Sequence, residues 1–182
     1  MKMNNYPINI TATIKKEQLQ KGTFLFIYRA TRIPPHIGVI TNGLLYDITS
    51  VGPNIELPVA DFYKTAVNRK TEVLFVELDL PKADTNKIIA DKVKHHWKVT
   101  ATKSCLVPVK EFLTEVSDVE LEKATFLFDL LPVLEKAKLV TAVYELNLEK
   151  KIKNNIFELI KYTQQDIEAC INALNRKEKF SC

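Results

Sequence analysis

The run His36-Ile37-Gly38-Val39-Ile40, the pair Asn42-Gly43 and the run Leu44-Leu45-Tyr46-Asp47-Ile48 admit few local structures. Two apolar segments joined through Asn-Gly are the strongest short-range sign of an antiparallel hairpin, because both turn residues accept the positive φ that the turn needs. A sheet is therefore required early in the chain. Thr23–Tyr28 reads as a buried aromatic strand before the hairpin, and Thr71–Leu78 as another after it, closed by Pro81. Leu57–Tyr63 reads as a short helical turn between them. The four glycines fall at 22, 38, 43 and 52, and none follows Pro53, so the later chain is expected to be helical. Ile88, Ile89, Val93 and Trp97 recur at helical spacing over Ala83–Trp97. Leu106–Val116 follows as a helix with Pro108 in its first turn, where proline is tolerated. Ser117-Asp118-Val119-Glu120 is a capping-box pattern for the next helix, expected to end near Leu131-Pro132. Leu139–Leu148 suits a strand or a helix. Ile152, Ile156, Leu159, Ile167, Cys170 and Leu174 form a helical stripe.

A chain of 182 residues, 46% apolar and 26% charged, buries enough surface to fold without a metal or a disulfide. No apolar run is long enough to span a bilayer. Met1–Pro7 carries basic charge with no apolar stretch behind it, so a complete chain is expected in the cytoplasm. A net charge of +4 and a pI near 8.8 are too mild to imply nucleic acid, and no nucleic-acid-binding pattern accompanies them. The charge is uneven. Lys82, Lys87, Lys92, Lys94, Lys98 and Lys103 face only Asp84 and Asp91 in the same segment. That segment reads either as a solvated helix face or as an anion-attracting rim.

Cys105, Cys170 and Cys182 are too few and too far apart for a disulfide framework or a zinc site. Cys170 falls in a helical pattern as a small core residue. His95 and His96 are adjacent on a helix and project about 100° apart, so they are poor partners on one metal ion. No metal and no cofactor is expected. His36 is the more informative histidine. It begins a strand directly after Pro34-Pro35, and the hairpin returns Asp47 to the same end. A carboxylate there would hold one ring nitrogen and fix the tautomer. A cysteine opening a helix sits where unpaired amides favour its thiolate, and Lys103 and Lys110 add positive potential. Residue types alone leave two readings open: a nucleophile, base and orienting carboxylate, or a core cysteine and a turn histidine.

Lys21–Tyr28, then Pro35-His36-Ile37-Gly38-Val39-Ile40, then Asn42-Gly43-Leu44-Leu45-Tyr46-Asp47 resembles the opening of the circularly permuted NlpC/P60 papain-like proteins. These are the YiiX-like relatives of the lecithin:retinol acyltransferases. Their pattern continues through a loop with leucine and phenylalanine (here Leu57 and Phe62), a strand (Val73–Leu78), a helix (Ala83–Trp97) and a cysteine at a helix start (Cys105). The resemblance covers about residues 18–116. It implies Cys105 as nucleophile, His36 as base and Asp47 as the orienting carboxylate, where the family usually has glutamate. Tyr46 and Lys103 are then expected to contact substrate. The chain departs from the family at Thr23, at Pro35, and in Cys105-Leu106-Val107-Pro108, where Pro108 removes one amide from the helix start.

The expected fold is α+β and papain-like in permuted order, with a small antiparallel sheet or half-barrel packed on helices. Residues 1–116 would form the core, and 117–182 a helical extension packed on it as one unit. The resemblance implies a cysteine hydrolase or acyltransferase acting on an amide, ester or thioester, and the basic segment suits a substrate of that kind with an anionic group. The competing expectation is a catalytically inactive module acting in protein–protein interaction. In either case the C-terminal helices are candidates for a homo-oligomer contact.

Overall fold

The computed structural model describes residues 5–81 and 84–175. Lys82, Ala83 and Cys182 lie outside the described residues, as does the basic start at Met1–Asn4. The chain is an α+β protein. It runs β1 (Tyr6–Asn9), β2 (Ala12–Thr13), a 3-10 turn (Lys16–Gln20), β3 (Thr23–Tyr28), β4 (His36–Thr41), β5 (Leu44–Ile48) and β6 (Pro53–Pro58). It continues with α1 (Val59–Asn68), β7 (Val73–Leu78), α2 (Thr85–His96), α3 (Leu106–Ser117) and α4 (Leu127–Lys136). Then come β8 (Val140–Leu146), a 3-10 turn (Glu149–Lys151), β9 (Ile156–Leu159) and α5 (Gln164–Asn175). Seven strands form one sheet in the order β2-β8-β7-β3-β4-β5-β6, and β1 pairs with β9 apart from it.

The strand at the centre explains the sequence pattern there. β3 is paired on both sides, by β4 and β7, and is covered on both faces, so it reads as an unbroken apolar run rather than an alternation. Phe24 and Phe26 face one side, with Ile40, Phe75 and the α1 residues Val59 and Ala66. Leu25 and Ile27 face the other, with Val39, Val76, Ile89 and Val93 of α2, and Val109 and Phe112 of α3. Each such side chain contributes roughly 1.5–3 kcal/mol on full burial. The Asn42-Gly43 turn takes φ of 50° and 80°, as the hairpin requires. It sets the register Thr41↔Leu44, Ile40↔Leu45 and Val39↔Tyr46.

Residues 117–182 are not a purely helical extension. Leu139–Leu148 is mostly strand: β8 adds to the open edge of β7, and β2 adds to β8 in parallel. Val140, Thr141, Val143 and Tyr144 are β-formers, and an uncovered β7 would leave a row of unpaired backbone groups. The early part of the C-terminal stripe is also a strand. Asn154 and Asn155 take left-handed φ of 51° and 60°, which breaks a helix, and Phe157 and Leu159 then alternate inward in β9. Only α5 keeps the expected helix. The capping-box reading at Ser117 also fails. Asp118 closes α3 in a left-handed conformation, and the next helix starts at Leu127, where the Asp129 carboxylate accepts from the Phe126 amide at 2.9 Å. Pro132 lies inside α4 rather than at its end, because the buried Leu127, Leu130, Leu131 and Leu134 carry that helix past it. Leu57–Tyr63 is not one short turn: β6 runs to Pro58, and α1 extends for ten residues.

Gly38 has a packing role within this sheet. A Cβ built there would lie 2.5 Å from Phe26 ring atoms and 2.7 Å from the Asp47 Cβ. Only hydrogen fits between them, and the crowding falls on the Phe26 ring and the Asp47 side chain. Gly38→Ala is expected to lower stability by about 1–3 kcal/mol through overpacking. Urea unfolding monitored by circular dichroism checks this, and an unchanged midpoint would contradict it.

Candidate functional site

One end of the large sheet gathers the groups of interest. The register pairs Tyr28 with His36 and with Val73, and pairs Ile48 with Pro53. The turns at this end are therefore Arg29–Pro35, Thr49–Gly52 and Arg69–Glu72. The segment leading to α3 is fastened to the same end, since the Val99 amide donates to the Thr49 carbonyl at 2.9 Å. Cys105 stands six residues further on, as the residue before the first turn of α3.

Asp47 is 6% exposed, and both of its carboxylate oxygens are engaged. His36 Nε2 lies 2.7 Å from Oδ2, and Asn54 Nδ2 donates to Oδ1 at 2.7 Å. A carboxylate accepts but does not donate, so Nε2 carries the proton. That leaves Nδ1 as the ring nitrogen open to the Cys105 side chain, which interacts with the imidazole. Burial of His36 disfavours its charge. The hydrogen bonds with Asp47 and Cys105, and the charges of those two groups, outweigh burial and raise its pKa from 6.5 to about 10. The imidazole is thus held as a cation at neutral pH. The Phe26 ring lies 6.0 Å from it and limits its rotation.

Cys105 is half-buried and is a free thiol. Cys170 is buried on α5 and is disulfide-bonded, so it is not a competing thiol. The first amides of α3 have no intrahelical acceptor. Pro108 is the third helical residue, so the amide it lacks is one the helix would not have used. Val107 and Leu106 amides turn back to Ser104, at 3.2 Å to its carbonyl and 3.3 Å to its hydroxyl.

The two residues expected at the substrate have other partners in the structure. Tyr46 is fully buried in the core, and its hydroxyl accepts from Asn86 Nδ2 at 3.0 Å. Its strand position turns it away from Asp47, as neighbours along a strand must be. Lys103 Nζ donates to the His96 carbonyl at 3.3 Å and serves the end of α2. Within the lysine-rich segment Lys92 is paired with Glu115 at 2.7 Å. His95 and His96 make no joint site. His96 is buried against Glu111 at 2.8 Å, while His95 is exposed. Among the described residues no three His, Cys, Asp or Glu side chains converge as metal ligands would.

Two neighbours of the site have no signal in the sequence. Asn54 lies in what reads only as a turn. Tyr162 precedes α5 and packs its ring 5.2 Å from both Phe126 and Phe128. Burial raises its pKa, and the nearby charges of Cys105 and Asp129 raise it further. No helix among the described residues is long and apolar enough to cross a membrane. No family model, curated protein or solved structure matches the chain.

The His36 shift has a defined consequence for stability. Its folded pKa of about 10 exceeds the ordinary 6.5, so its contribution is fully present below about pH 6.5 and is lost as pH rises through about 10. His36→Gln should flatten that part of the profile. Thermal unfolding at pH 6 and at pH 10 is expected to show a larger loss in the unaltered protein than in the variant. Parallel losses would refute the assignment.

Proposed function

We propose that the protein is a cysteine hydrolase or acyltransferase of the permuted papain-like kind, with Cys105 as nucleophile, His36 as acid–base and Asp47 as the orienting group. One observation carries this reading. Asp47 bonds His36 Nε2 at 2.7 Å and the Cys105 side chain interacts with the same imidazole, so a thiol, an imidazole and a carboxylate come together in a nucleophile–base–orienter set. The resemblance of residues 18–116 to that family supports the same roles. The strand order is consistent with it, since the hairpin that carries the histidine precedes the helix that carries the cysteine.

In this reading the thiol proton resides on His36, and the pair reacts as thiolate and imidazolium. The sulfur attacks the carbonyl carbon of an amide, ester or thioester, forming an S–C bond. The oxyanion is held by the backbone amide of Cys105, since the Leu106 and Val107 amides are engaged by Ser104 and Pro108 has none. The carbonyl reforms as the bond to the leaving group breaks, and His36 gives its proton to that amine, alcohol or thiol. Water, or an acceptor hydroxyl or amine, then loses a proton to His36 and attacks the thioester, returning the free thiol. Asp47 keeps Nε2 protonated and the ring in place throughout. An amide, ester or thioester of a small acyl compound is the substrate class that fits.

The second reading is an inactive module that binds a partner. It draws on Ile171 and Leu174, which are 49% and 66% exposed on α5.

p-Nitrophenyl acetate separates the two. Intact-mass and peptide analysis is expected to find one acetyl group, on Cys105. Cys105→Ser should abolish that adduct, and His36→Asn should slow nitrophenol release by about 10²–10⁴-fold with the fold intact by circular dichroism. Acetylation confined to lysines, or release indifferent to His36, would contradict the proposal.

A further inference from the structure

The sheet end that carries His36 also carries a shallow cavity of about 290 Å³ lined by Arg29, Arg32, Arg69 and Lys70, with Tyr28 and Glu72. Tyr28, one of the lining residues, is the cross-strand partner of His36. Its four cations are all exposed and come from two separate turns, the one after β3 and the one after α1. The single carboxylate, Glu72, does not neutralise them. It is already bound to Lys151 at 2.6 Å and to the Thr31 hydroxyl, and those bonds together with the Arg32 charge hold its pKa down against burial.

A structural explanation covers half of the set. Arg69 and Lys70 close α1, where cations complement the negative end of the helix dipole. It does not reach Arg29 or Arg32, which belong to no helix. Arg29 is also positioned: its guanidinium lies 5.5 Å from the centre of the Tyr28 ring, a cation–π contact that orders the side chain before any ligand arrives. Three guanidinium forks and an ammonium around one concavity match an oxoanion with several acceptor oxygens, and guanidinium forks pair with phosphoryl oxygens two at a time.

We infer that this cavity is an anion subsite that takes a phosphoryl group of the substrate and sets the acyl carbon toward Cys105. The substrate class of the proposed thiol chemistry becomes an acyl compound that bears a phosphoryl group, and that extension rests on the hydrolase or acyltransferase reading. The same group is offered by a soluble phosphorylated compound or by a phospholipid headgroup, and the two sources are separable by experiment.

Binding is measured on Cys105→Ser, so that the result does not depend on catalysis. Calorimetry at low salt with pyrophosphate is the soluble arm. Co-sedimentation with phosphatidylcholine vesicles, with and without phosphatidic acid, is the membrane arm. Saturable binding in at least one arm is expected. It should weaken about tenfold or more in Arg29→Gln/Arg32→Gln, and several-fold between about 20 and 200 mM salt, as screened charge contacts do. The control Lys136→Gln should not alter it. Pyrophosphate binding assigns a soluble ligand, and vesicle binding alone assigns a headgroup. No binding in either arm, or binding untouched by the double substitution, overturns the subsite. Acetylation of Cys105 by p-nitrophenyl acetate would still stand in that event, so the two failures are distinguishable.

Discussion

A carboxylate removed from water must find donors, and Asp47 finds two, one on each oxygen. The rest of the site follows from where those donors come from. His36 arrives because the Asn42-Gly43 turn folds β4 onto β5 in one register only. A slip of one residue would send Asp47 to the opposite face and bring Tyr46 in its place. Asn54 arrives because β6 returns along β5 and pairs Asp47 with Asn54. Gly38 leaves the space in which the carboxylate and the Phe26 ring approach each other. The charged pair is therefore a product of sheet register, and it is as rigid as the three strands that build it.

That rigidity bears on the thiol. With Nε2 committed to Asp47, the imidazole turns only Nδ1 toward Cys105 and has little freedom to rotate. A cation held there is a strong local field at the start of α3, beside the positive end of the helix dipole. Around this centre the same sheet end gathers Arg29, Arg32, Arg69 and Lys70. Its polarity is that of a place where negative charge is received, although the net charge of the whole chain is only +4.

Much of this could be read from residue order. The hairpin, the central aromatic strand, α2 and α3 all follow from local signals: an Asn-Gly turn, an apolar run, and apolar residues at helical spacing. The meeting of His36 with Asp47 follows from hairpin geometry alone. Other features depend on distant partners. Val140–Leu146 has strand-forming residues that also fit a helix, and the open edge of β7 decides the matter. Ile156–Leu159 becomes a strand because β1, nearly the whole chain away, pairs with it. Tyr46 resembles a pocket residue by its place beside Asp47, but strand alternation puts it in the core. The cationic cavity was illegible for the same reason. Its arginines are scattered over forty positions and meet only when the sheet aligns their turns, whereas Lys92 and Lys103 of the conspicuous lysine run are engaged by Glu115 and the α2 terminus.

The central claim is that His36 is held protonated between Asp47 and Cys105. Proton NMR of its ring hydrogens across a pH series tests this directly, with His36→Gln used to assign the resonance. The expected midpoint is near pH 10, falling when Cys105 is replaced by serine. A midpoint near 6.5, unmoved by that replacement, would show an ordinary surface histidine and contradict the account.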